Sequence, residues 1–274
     1  MALKLMYITN DEHIATIAER SGVDWIFVDL EINGKDERQG HLDTVISRHC
    51  LEDVKKIKDI LKKSELLVRV NPIFEGSKEE INKVINDGAD IVMLPFFKTK
   101  EEVELFVKYV EVRARVCLLL ETPEAAENIE SILNIEGIDY IHIGLNDLHL
   151  GYGMKFMFEL LADGTVEKLC NKIRDKGIDY GFGGIAQLGQ GHLPAKNILA
   201  EHYRLGSKMV ILSRNFCDTS KIEDVNEVKS IFDSGISAIR SYEELLLNKE
   251  KEFFLENKRE VKDKVVSIVT AVVK

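Results

Sequence analysis

The sequence predicts a (β/α)8 barrel followed by a helical extension, and three observations support this fold class. The first is a series of eight short apolar segments that read as strands, at 3–9, 24–31, 65–71, 90–97, 115–122, 140–147, 179–185 and 209–216. The second is the helical spacing of apolar residues between them, as in "LEDVKKIKDILKK" (51–63). The third is size, because 274 residues with 45% hydrophobic content can build one large barrel.

The order of the elements favours a closed parallel barrel over 1–217. Nearly continuous apolar strands are typical of a parallel sheet that is covered by helices on both sides. Several predicted helices end at a glycine shortly before the next strand, namely Gly22, Gly88, Gly137, Gly177 and Gly206. The alternative, a doubly wound open sheet, calls for a glycine-rich phosphate loop after an early strand, and "YITNDEH" (7–13) has no glycine.

The glycines that do cluster lie in the seventh predicted strand, at Gly181, Gly183 and Gly184. This is where a barrel commonly places an anion-binding loop.

The pattern changes after Cys217. Residues 218–274 have helical periodicity and contain more helix than an eighth barrel helix needs. We expect the surplus apolar face of this extension to pack on a neighbouring subunit or to fold back over the barrel end.

Composition excludes several classes of partner. A net charge of −10 argues against binding to nucleic acid or to an anionic membrane surface. No apolar run approaches the roughly 20 residues that span a bilayer, and the N-terminus is unlike a signal peptide. The four cysteines form no CxxC pair, as in reduced intracellular proteins. We therefore expect a cytoplasmic protein that acts on a small molecule.

Two carboxylates follow neighbouring predicted strands. Glu121 lies at the end of the fifth strand, before Thr122 and Pro123 begin a helix, and Asp147 lies at the equivalent point after the sixth strand. Active sites of barrels are built at the carboxyl ends of their strands, so we expect the two side chains to face one site. Like charges at close range require a cation or a shared proton, and hard oxygen ligands suit Mg²⁺ or Mn²⁺.

Three charged residues at the ends of the second and third strands are expected at the same face. Arg69 is predicted either to form a buried ion pair with Asp29 or Glu31, or to clamp a substrate carboxylate and stabilise a developing oxyanion. The two roles are compatible. Asp29 and Glu31 share side-chain parity, so both are expected to orient metal-bound water and to hold an arginine.

The segments "SGVDWIFVDLE", "LLVRVNPIFEGSKEEINKVINDGADIVMLP" and "VCLLLETPEAAENIESILNIEGIDYIHIGLNDL" carry a family resemblance. In order, spacing and residue type they resemble the HpcH/HpaI aldolase and citrate lyase β-subunit family of the phosphoenolpyruvate/pyruvate barrel superfamily, over about residues 10 to 216. The tail resembles the extension by which members of this family exchange a helix between subunits, which implies a homo-oligomer.

This resemblance implies a divalent-metal-dependent carbon–carbon lyase of the class II aldolase type, acting through a metal-bound enolate of pyruvate or a similar 2-oxo acid. Glu121 and Asp147 match the metal ligands of the family, and Arg69 matches the arginine at the enolate oxygen. Gly144 and Asn146, in the loop that carries Asp147, are expected to contact the substrate. Mg²⁺ or Mn²⁺ is the expected cofactor, with another divalent cation as an alternative.

One position departs from the family pattern. The pyruvate aldolases read D-x-E-H at the end of the second strand, whereas here Ile32 follows Asp29, Leu30 and Glu31. The histidine that manages the proton is thus absent. Candidate substitutes lie in the next segment, where His49 or His41 is the expected proton carrier and Arg38 and Arg48 are the expected anion contacts.

Two alternatives to the aldolase stay open at the level of the sequence. One is a CoA-thioester lyase of the citrate lyase β-subunit type, since "DLE" fits that branch better. The other is a non-catalytic family member that has kept the metal pocket after losing the histidine, and the intact pair of Glu121 and Asp147 makes it the weaker alternative.

Overall fold

The predicted barrel is confirmed in a computed structural model that describes residues 2–32 and 49–272. Its strands form a closed barrel in chain order from β1 to β8, and the pairings β1–β2, β2–β3, β3–β4, β4–β5 and β7–β8 are parallel. The strands are β1 (Lys4–Ile8), β2 (Trp25–Asp29), β3 (Glu65–Arg69), β4 (Ile91–Leu94), β5 (Arg115–Leu120), β6 (Tyr140–Ile143), β7 (Asp179–Ile185) and β8 (Met209–Leu212).

Helices alternate with these strands and then continue beyond β8. Within the described residues they are α1 (Glu12–Ser21), α2 (Leu51–Ile60), α3 (Ser77–Asn86), α4 (Lys100–Val110), α5 (Pro123–Glu127), α6 (Ile129–Ile132), α7 (Leu145–Gly151), α8 (Glu159–Ala162), α9 (Thr165–Asp175), α10 (Ala195–Leu205), α11 (Val225–Leu247) and α12 (Lys251–Val272). None of these helices is long and apolar enough to cross a membrane.

The chain divides into two compact units. One comprises Met6–Ile141 and the other comprises Met1–Leu5 with His142–Lys274. The first, which we call the β2–β5 unit, contains the helices α1 to α6, and the second, the β7–β8 unit, contains α7 to α12. The predicted boundary at residue 217 between barrel and extension stays a prediction.

In the β2–β5 unit, strand burial and register fix the positions that matter for function. Every residue of β2 is buried, as its continuous apolar sequence predicts, and the last of them is the acidic Asp29. Parallel pairing of β2 with β3 sets Asp29 opposite Arg69. The side chains of two residues paired in this way lie on the same face of the sheet, so the register itself brings a carboxylate and a guanidinium together.

In the β7–β8 unit, the clustered glycines have a structural explanation. A side chain at Gly181 would place its Cβ 2.2 Å from the carbonyl oxygen of Met209 on the neighbouring strand, so only glycine fits there. The register of β7 against β8 then shifts between Gly181 and Gly184, and Gly183 has a positive φ of 55° within this irregularity. Its carbonyl oxygen accepts a hydrogen bond from Nε2 of His142 at 3.0 Å.

The C-terminal extension folds onto its own unit. Helix α12 packs on α8 and α10, and the buried Asn257 donates from Nδ2 to Glu201 Oε1 at 2.8 Å and to the carbonyl oxygen of Asn197 at 3.1 Å. Lys258 of α12 pairs with Glu167 of α9 at 2.6 Å. These contacts join the extension to helices of its own chain. The expected packing over the barrel end and the exchange of the helix between subunits stay predictions.

Candidate active site

The centre of the candidate site in the β2–β5 unit is the ion pair of Arg69 and Asp29. The guanidinium donates from Nε to Asp29 Oδ1 at 2.8 Å and from Nη2 to Oδ2 at 2.7 Å, which is the bidentate arrangement. The carboxylate is buried, and the arginine side chain is 12% exposed. The guanidinium carbon also lies 5.5 Å from the centre of the Phe27 ring, which adds a cation–π contact.

Two further carboxylates act on the same guanidinium. Glu31 Oε2 lies 3.2 Å from Arg69 Nη1, and Glu121 is close enough to contribute electrostatically. Burial by itself disfavours the charged arginine, but Asp29, Glu31 and Glu121 together raise the pKa of Arg69 above its ordinary value. The guanidinium therefore stays charged beside three buried carboxylates.

Glu121 is positioned by the residues that follow its own strand β5 and by the loop after the neighbouring strand β4. It directly follows β5 and is 3% exposed. The next residue, Thr122, caps α5 by accepting from the amide of Ala125 at 3.2 Å, and Pro123 occupies the first turn, where a missing N–H costs nothing. From the loop after β4, the amide of Phe96 donates to Glu121 Oε1 at 3.1 Å.

The segment that ends in Ile32 is fastened to the loop after β3. The Ile32 amide donates to Asn71 Oδ1 at 2.9 Å, and Asn71 Nδ2 donates to Glu80 Oε1 at 2.6 Å. Burial raises the pKa of Glu80, against the lowering effect of its hydrogen bonds from Asn71. The Ile32 side chain is 52% exposed. At the position where the family places its histidine, the chain thus has a fixed backbone and an exposed apolar side chain.

His49 contacts this cluster through the backbone. The amide of Asp29 donates to His49 Nδ1 at 2.9 Å. Because Nδ1 is the acceptor, the ring proton of the neutral imidazole must be on Nε2. In this orientation His49 is a hydrogen-bond donor, and taking up a proton at Nδ1 requires the bond to Asp29 to break.

The remaining predicted residues fall into two groups. Gly144, Asn146 and Asp147 are half-buried in the β7–β8 unit, where Gly144 precedes α7 and the other two lie in its first turn. The carbonyl of Asn146 is a hydrogen-bond partner of His149 Nδ1. The other group, Arg38, His41 and Arg48, lies outside the described residues.

The carboxylates suit a hard divalent cation. Across residues 2–32 and 49–272, no group of three or more His, Cys, Asp or Glu side chains is arranged to hold a metal ion. A protein contribution of one or two carboxylates, with water and substrate as the other ligands, is the usual situation for Mg²⁺. The donor chemistry of Glu121 and Asp147 therefore fits the predicted cofactor.

A scan against family models matches residues 4–173 to the model described as HpcH/HpaI aldolase/citrate lyase. The chain belongs to the HpcH/HpaI aldolase/citrate lyase family. The predicted family is therefore confirmed, and with it the expectation of an enzyme of the aldolase and lyase class.

Family relatives include named aldolases. A 2-keto-3-deoxy-L-rhamnonate aldolase from Shigella dysenteriae serotype 1 is 27% identical over 207 residues, which is 64% of this chain and 71% of that protein. The enzyme of the same description from Escherichia coli K12 is 27% identical over 173 residues, or 52% of this chain and 58% of that one. The chain thus spans less than two thirds of the length of the second relative.

Solved structures share the fold at lower identity. An HpcH/HpaI aldolase from Desulfitobacterium hafniense DCB-2 superposes with a TM-score of 0.61 at 17% identity, covering 87% of this chain and 93% of that one. The citrate synthase SbnG superposes with a TM-score of 0.60 at 16% identity, covering 89% and 95%. At these identities the likeness supports the barrel alone.

Three supporting contacts of the site were not predicted from the sequence. These are the Phe96 amide on Glu121, the Asn71–Glu80 pair behind Ile32, and the Asp29 amide on His49. Two of them involve backbone amides, which every residue carries, so no residue type marks them. The sequence does point to Asn71. It lies two positions after Arg69 at the end of a strand, just as Glu31 lies two positions after Asp29.

Proposed function

We propose that the chain is a divalent-metal-dependent carbon–carbon lyase that cleaves or forms a bond to pyruvate or a similar 2-oxo acid through its enolate. In this proposal Glu121 and Asp147 hold Mg²⁺ or Mn²⁺, and Arg69 stabilises the enolate. Asp29 and Glu31 fix the arginine. Gly144 and Asn146 contact the substrate, as do Arg38 and Arg48 of the segment after β2.

The observation that carries the proposal is the grouping of three buried carboxylates with a fixed guanidinium. Asp29, Glu31 and Glu121 are each at most 3% exposed, and all three act electrostatically on Arg69. Carboxylate oxygens suit a hard divalent cation, and a guanidinium that is already oriented beside them suits an enolate oxygen. A divalent cation at Glu121 would supply the Lewis acidity that draws electrons towards a keto oxygen.

Arg69 is suited to stabilise a developing oxyanion because its own position is fixed beforehand. Its contacts with Asp29 and Glu31 use one N–H each of Nε, Nη1 and Nη2. A guanidinium carries five N–H groups, so the Nη1 and Nη2 atoms retain donors for a substrate oxygen. Donors that are already oriented lose little energy to reorganisation when charge appears during the reaction.

His49 has a narrower role in the proposal than a mobile proton carrier. With Nδ1 accepting from Asp29, the ring presents Nε2–H, which donates a hydrogen bond to an oxygen of the substrate. The proton that moves during bond cleavage is then carried by a group other than His49 in this orientation. His41 is the candidate from the sequence.

The proposed substrate class follows the named relatives. Those relatives are 2-keto-3-deoxy-L-rhamnonate aldolases, so a 2-keto-3-deoxy sugar acid is the first compound to test in the cleavage direction. In the synthetic direction the test pairs pyruvate with a panel of aldehydes.

We also propose that the enzyme is a homo-oligomer with contacts through its C-terminal helices. Several large apolar side chains of α11 and α12 are exposed, namely Leu245, Leu247, Leu255 and Val266. Exposed apolar surface on helices favours association. Light scattering coupled to size-exclusion chromatography measures the mass, and a monomer at micromolar concentration contradicts this part of the proposal.

The test of the proposed activity is hydrogen–deuterium exchange at the methyl group of pyruvate, because exchange requires the enolate and no electrophile. In D2O with Mn²⁺ or Mg²⁺, the methyl proton signal of pyruvate is expected to disappear with the wild-type enzyme. Loss of one preorganised donor to an oxyanion typically costs about 100-fold to 1,000-fold, so Arg69→Ala is expected to slow the exchange by at least that factor. Glu121→Ala and Asp147→Ala are expected to weaken Mn²⁺ binding.

Glu124→Ala is the matched control. Glu124 lies three residues after Glu121, but its side chain is 49% exposed and pairs with Lys98 on the surface. This variant is expected to bind Mn²⁺ and exchange pyruvate as the wild type does. Absence of exchange with every divalent cation tested contradicts the aldolase, and stabilisation by acetyl-CoA without stabilisation by pyruvate favours the CoA-thioester lyase instead.

A further inference from the structure

The backbone at Phe96 is unusual for its residue type. Phe96 has a φ of 50°, in the left-handed region that bulky side chains rarely adopt. It is one of three non-glycine residues with positive φ in the described part of the chain, and the other two, Glu111 and Val112, follow the end of α4. Left-handed residues at helix ends are common, whereas Phe96 lies in the loop directly after a barrel strand. Strained backbone of this kind persists where the surrounding structure requires it.

Two contacts of this loop explain what the left-handed conformation achieves. The Phe96 amide donates to Glu121 Oε1 at 3.1 Å, and the carbonyl of the next residue, Phe97, accepts from Thr122 Oγ1 at 2.7 Å. In an extended strand, the N–H of one residue and the C=O of the following residue point to opposite edges. The turn at Phe96 directs both groups to the segment that follows β5.

The same loop contacts that segment at two further points. The carbonyl of Lys98 accepts from Asn128 Nδ2 at 3.4 Å, and Lys98 Nζ forms an ion pair with Glu124 at 3.0 Å. Both side chains of this ion pair are about half exposed, so it holds the loop only weakly and Glu124 can serve as a control. Lys98 Nζ also lies 5.8 Å from the centre of the Phe96 ring. The loop after β4 is therefore built against the residues around Glu121, and the strained residue is the one whose amide reaches the carboxylate.

We infer that Phe96 is a positioning residue, whose left-handed backbone orients the Glu121 carboxylate for the bound cation. The inference rests on the proposed function, in which Glu121 is a metal ligand. The proposed role depends on the backbone conformation of Phe96, because its amide contacts Glu121 and its aromatic ring is secondary. A residue that tolerates positive φ is therefore expected to preserve the function of Phe96, and one that does not is expected to lose it.

The test compares Phe96→Gly with Phe96→Val. Both variants remove the ring, but glycine adopts positive φ readily whereas a β-branched residue there is strongly disfavoured. Mn²⁺ affinity, measured by titration calorimetry, is expected to be close to wild type in Phe96→Gly. In Phe96→Val it is expected to fall by about tenfold or more, the value of a hydrogen bond to a charged group. Equal Mn²⁺ affinity in the two folded variants overturns the inference.

A second measurement does not require a metal. Labelling with [15N]phenylalanine gives at most 12 backbone signals, and the Phe96 signal is the one missing in Phe96→Gly. Replacing Glu121 by glutamine weakens the acceptor, so the Phe96 amide proton is expected to move upfield in Glu121→Gln and to stay in place in Glu124→Gln. No movement in Glu121→Gln overturns the inference, even if Phe96→Val fails to fold.

Failure of this inference and failure of the proposed function give different results. If the wild type binds Mn²⁺, Glu121→Ala does not, and the two Phe96 variants are equal, only the role of Phe96 is wrong. If Glu121→Ala binds Mn²⁺ as tightly as wild type, the proposed metal ligand is wrong, and the inference for Phe96 falls with it.

Discussion

Two buried titratable side chains, one in each compact unit, are accommodated in opposite ways. In the β2–β5 unit, Arg69 remains charged among buried carboxylates and is fixed by a bidentate contact with Asp29. In the β7–β8 unit, His202 is fully buried and uncharged, and its ring stacks on Phe182 with a centroid distance of 3.9 Å and an interplanar angle of 1°. Burial by itself favours the second solution, because it disfavours every charged form.

His202 and Arg69 differ in the energetic cost of their burial. Around His202 the chain keeps the imidazole neutral, and burial together with the neighbouring His142 lowers the pKa of His202 to about 3. Around Arg69 it has gathered carboxylates that keep a charge in place, although buried ion pairs are seldom the most stable choice. Buried charge also occurs in the β7–β8 unit, where Arg204 pairs with Glu201 on a helix. The pair of Arg69 and Asp29 differs because it lies at the carboxyl ends of barrel strands, where active sites are built, whereas the neutral histidine is explained by packing.

The largest effect is expected from removing the arginine. Arg69→Ala removes the guanidinium from the buried Asp29 and Glu31, and breaking a buried pair in this way typically costs about 3–5 kcal/mol of unfolding free energy. Urea denaturation measures that loss. Activity on a 2-oxo acid is expected to disappear as well, since the guanidinium held opposite Asp29 is then missing.

A second substitution separates stability from chemistry. In Arg69→Ala/Asp29→Asn the bidentate partner is neutral while Glu31 keeps its carboxylate, so part of the lost stability is expected to return while activity stays absent. This double variant brings the cluster closer to the uncharged state of His202. If it is as unstable as Arg69→Ala alone, desolvated charge is not the source of the cost.

An intermediate effect is expected at His202 as the pH falls. An unfolded histidine takes up a proton near pH 6.5, whereas the folded one does so only near pH 3, so the unfolded state binds more protons between these values. Stability from this group is therefore complete above about pH 6.5 and declines on acidification. At pH 5 the loss is about 2 kcal/mol.

Two variants separate the contribution of His202 to the pH dependence of stability from that of other groups. His202→Gln is expected to flatten the difference in unfolding free energy between pH 7 and pH 5, and His13→Gln, at an exposed position on α1, is expected to leave it unchanged. The local geometry agrees with a neutral ring, because His202 Nδ1 and Ser207 Oγ are 2.8 Å apart and Ser207 can donate onwards to the Met209 carbonyl. An unchanged pH dependence in His202→Gln assigns the acid sensitivity to other groups.

The fold was predictable because it depends on repeated patterns. Eight apolar segments and the amphipathic segments between them are visible along the chain, and each corresponds to a strand or to helices of the structure. The ion pair of Arg69 could also be predicted, since the last residues of two neighbouring parallel strands lie at the same edge of the sheet. The contacts that hold the site in place were harder to predict, because they depend on the backbone conformation of loops.

Ile32 and Phe96 illustrate that limit. The sequence showed that Ile32 stands where the family has a histidine, but the hydrogen bond from its amide to Asn71 is visible only in the structure. The sequence showed that Pro95 ends a strand, but a positive φ at the following phenylalanine contradicts the preference of that residue type. Tertiary contacts impose such conformations against local preference, so local patterns cannot reveal them.

The smallest effect is expected at His49, the neutral ring that contacts the charged cluster. The Asp29 amide donates to its Nδ1, and we expect nitrogen chemical shifts of a ¹⁵N-histidine-labelled sample to show the Nε2–H tautomer at neutral pH. His49→Leu leaves this amide without its acceptor and is expected to cost about 1 kcal/mol, whereas His49→Asn supplies a carbonyl oxygen and is expected to cost less. If the ring is instead protonated at Nδ1, Nε2 is its basic nitrogen. The role of proton carrier predicted from the sequence then returns to it, and the contrast between charged and neutral burial no longer holds at this contact.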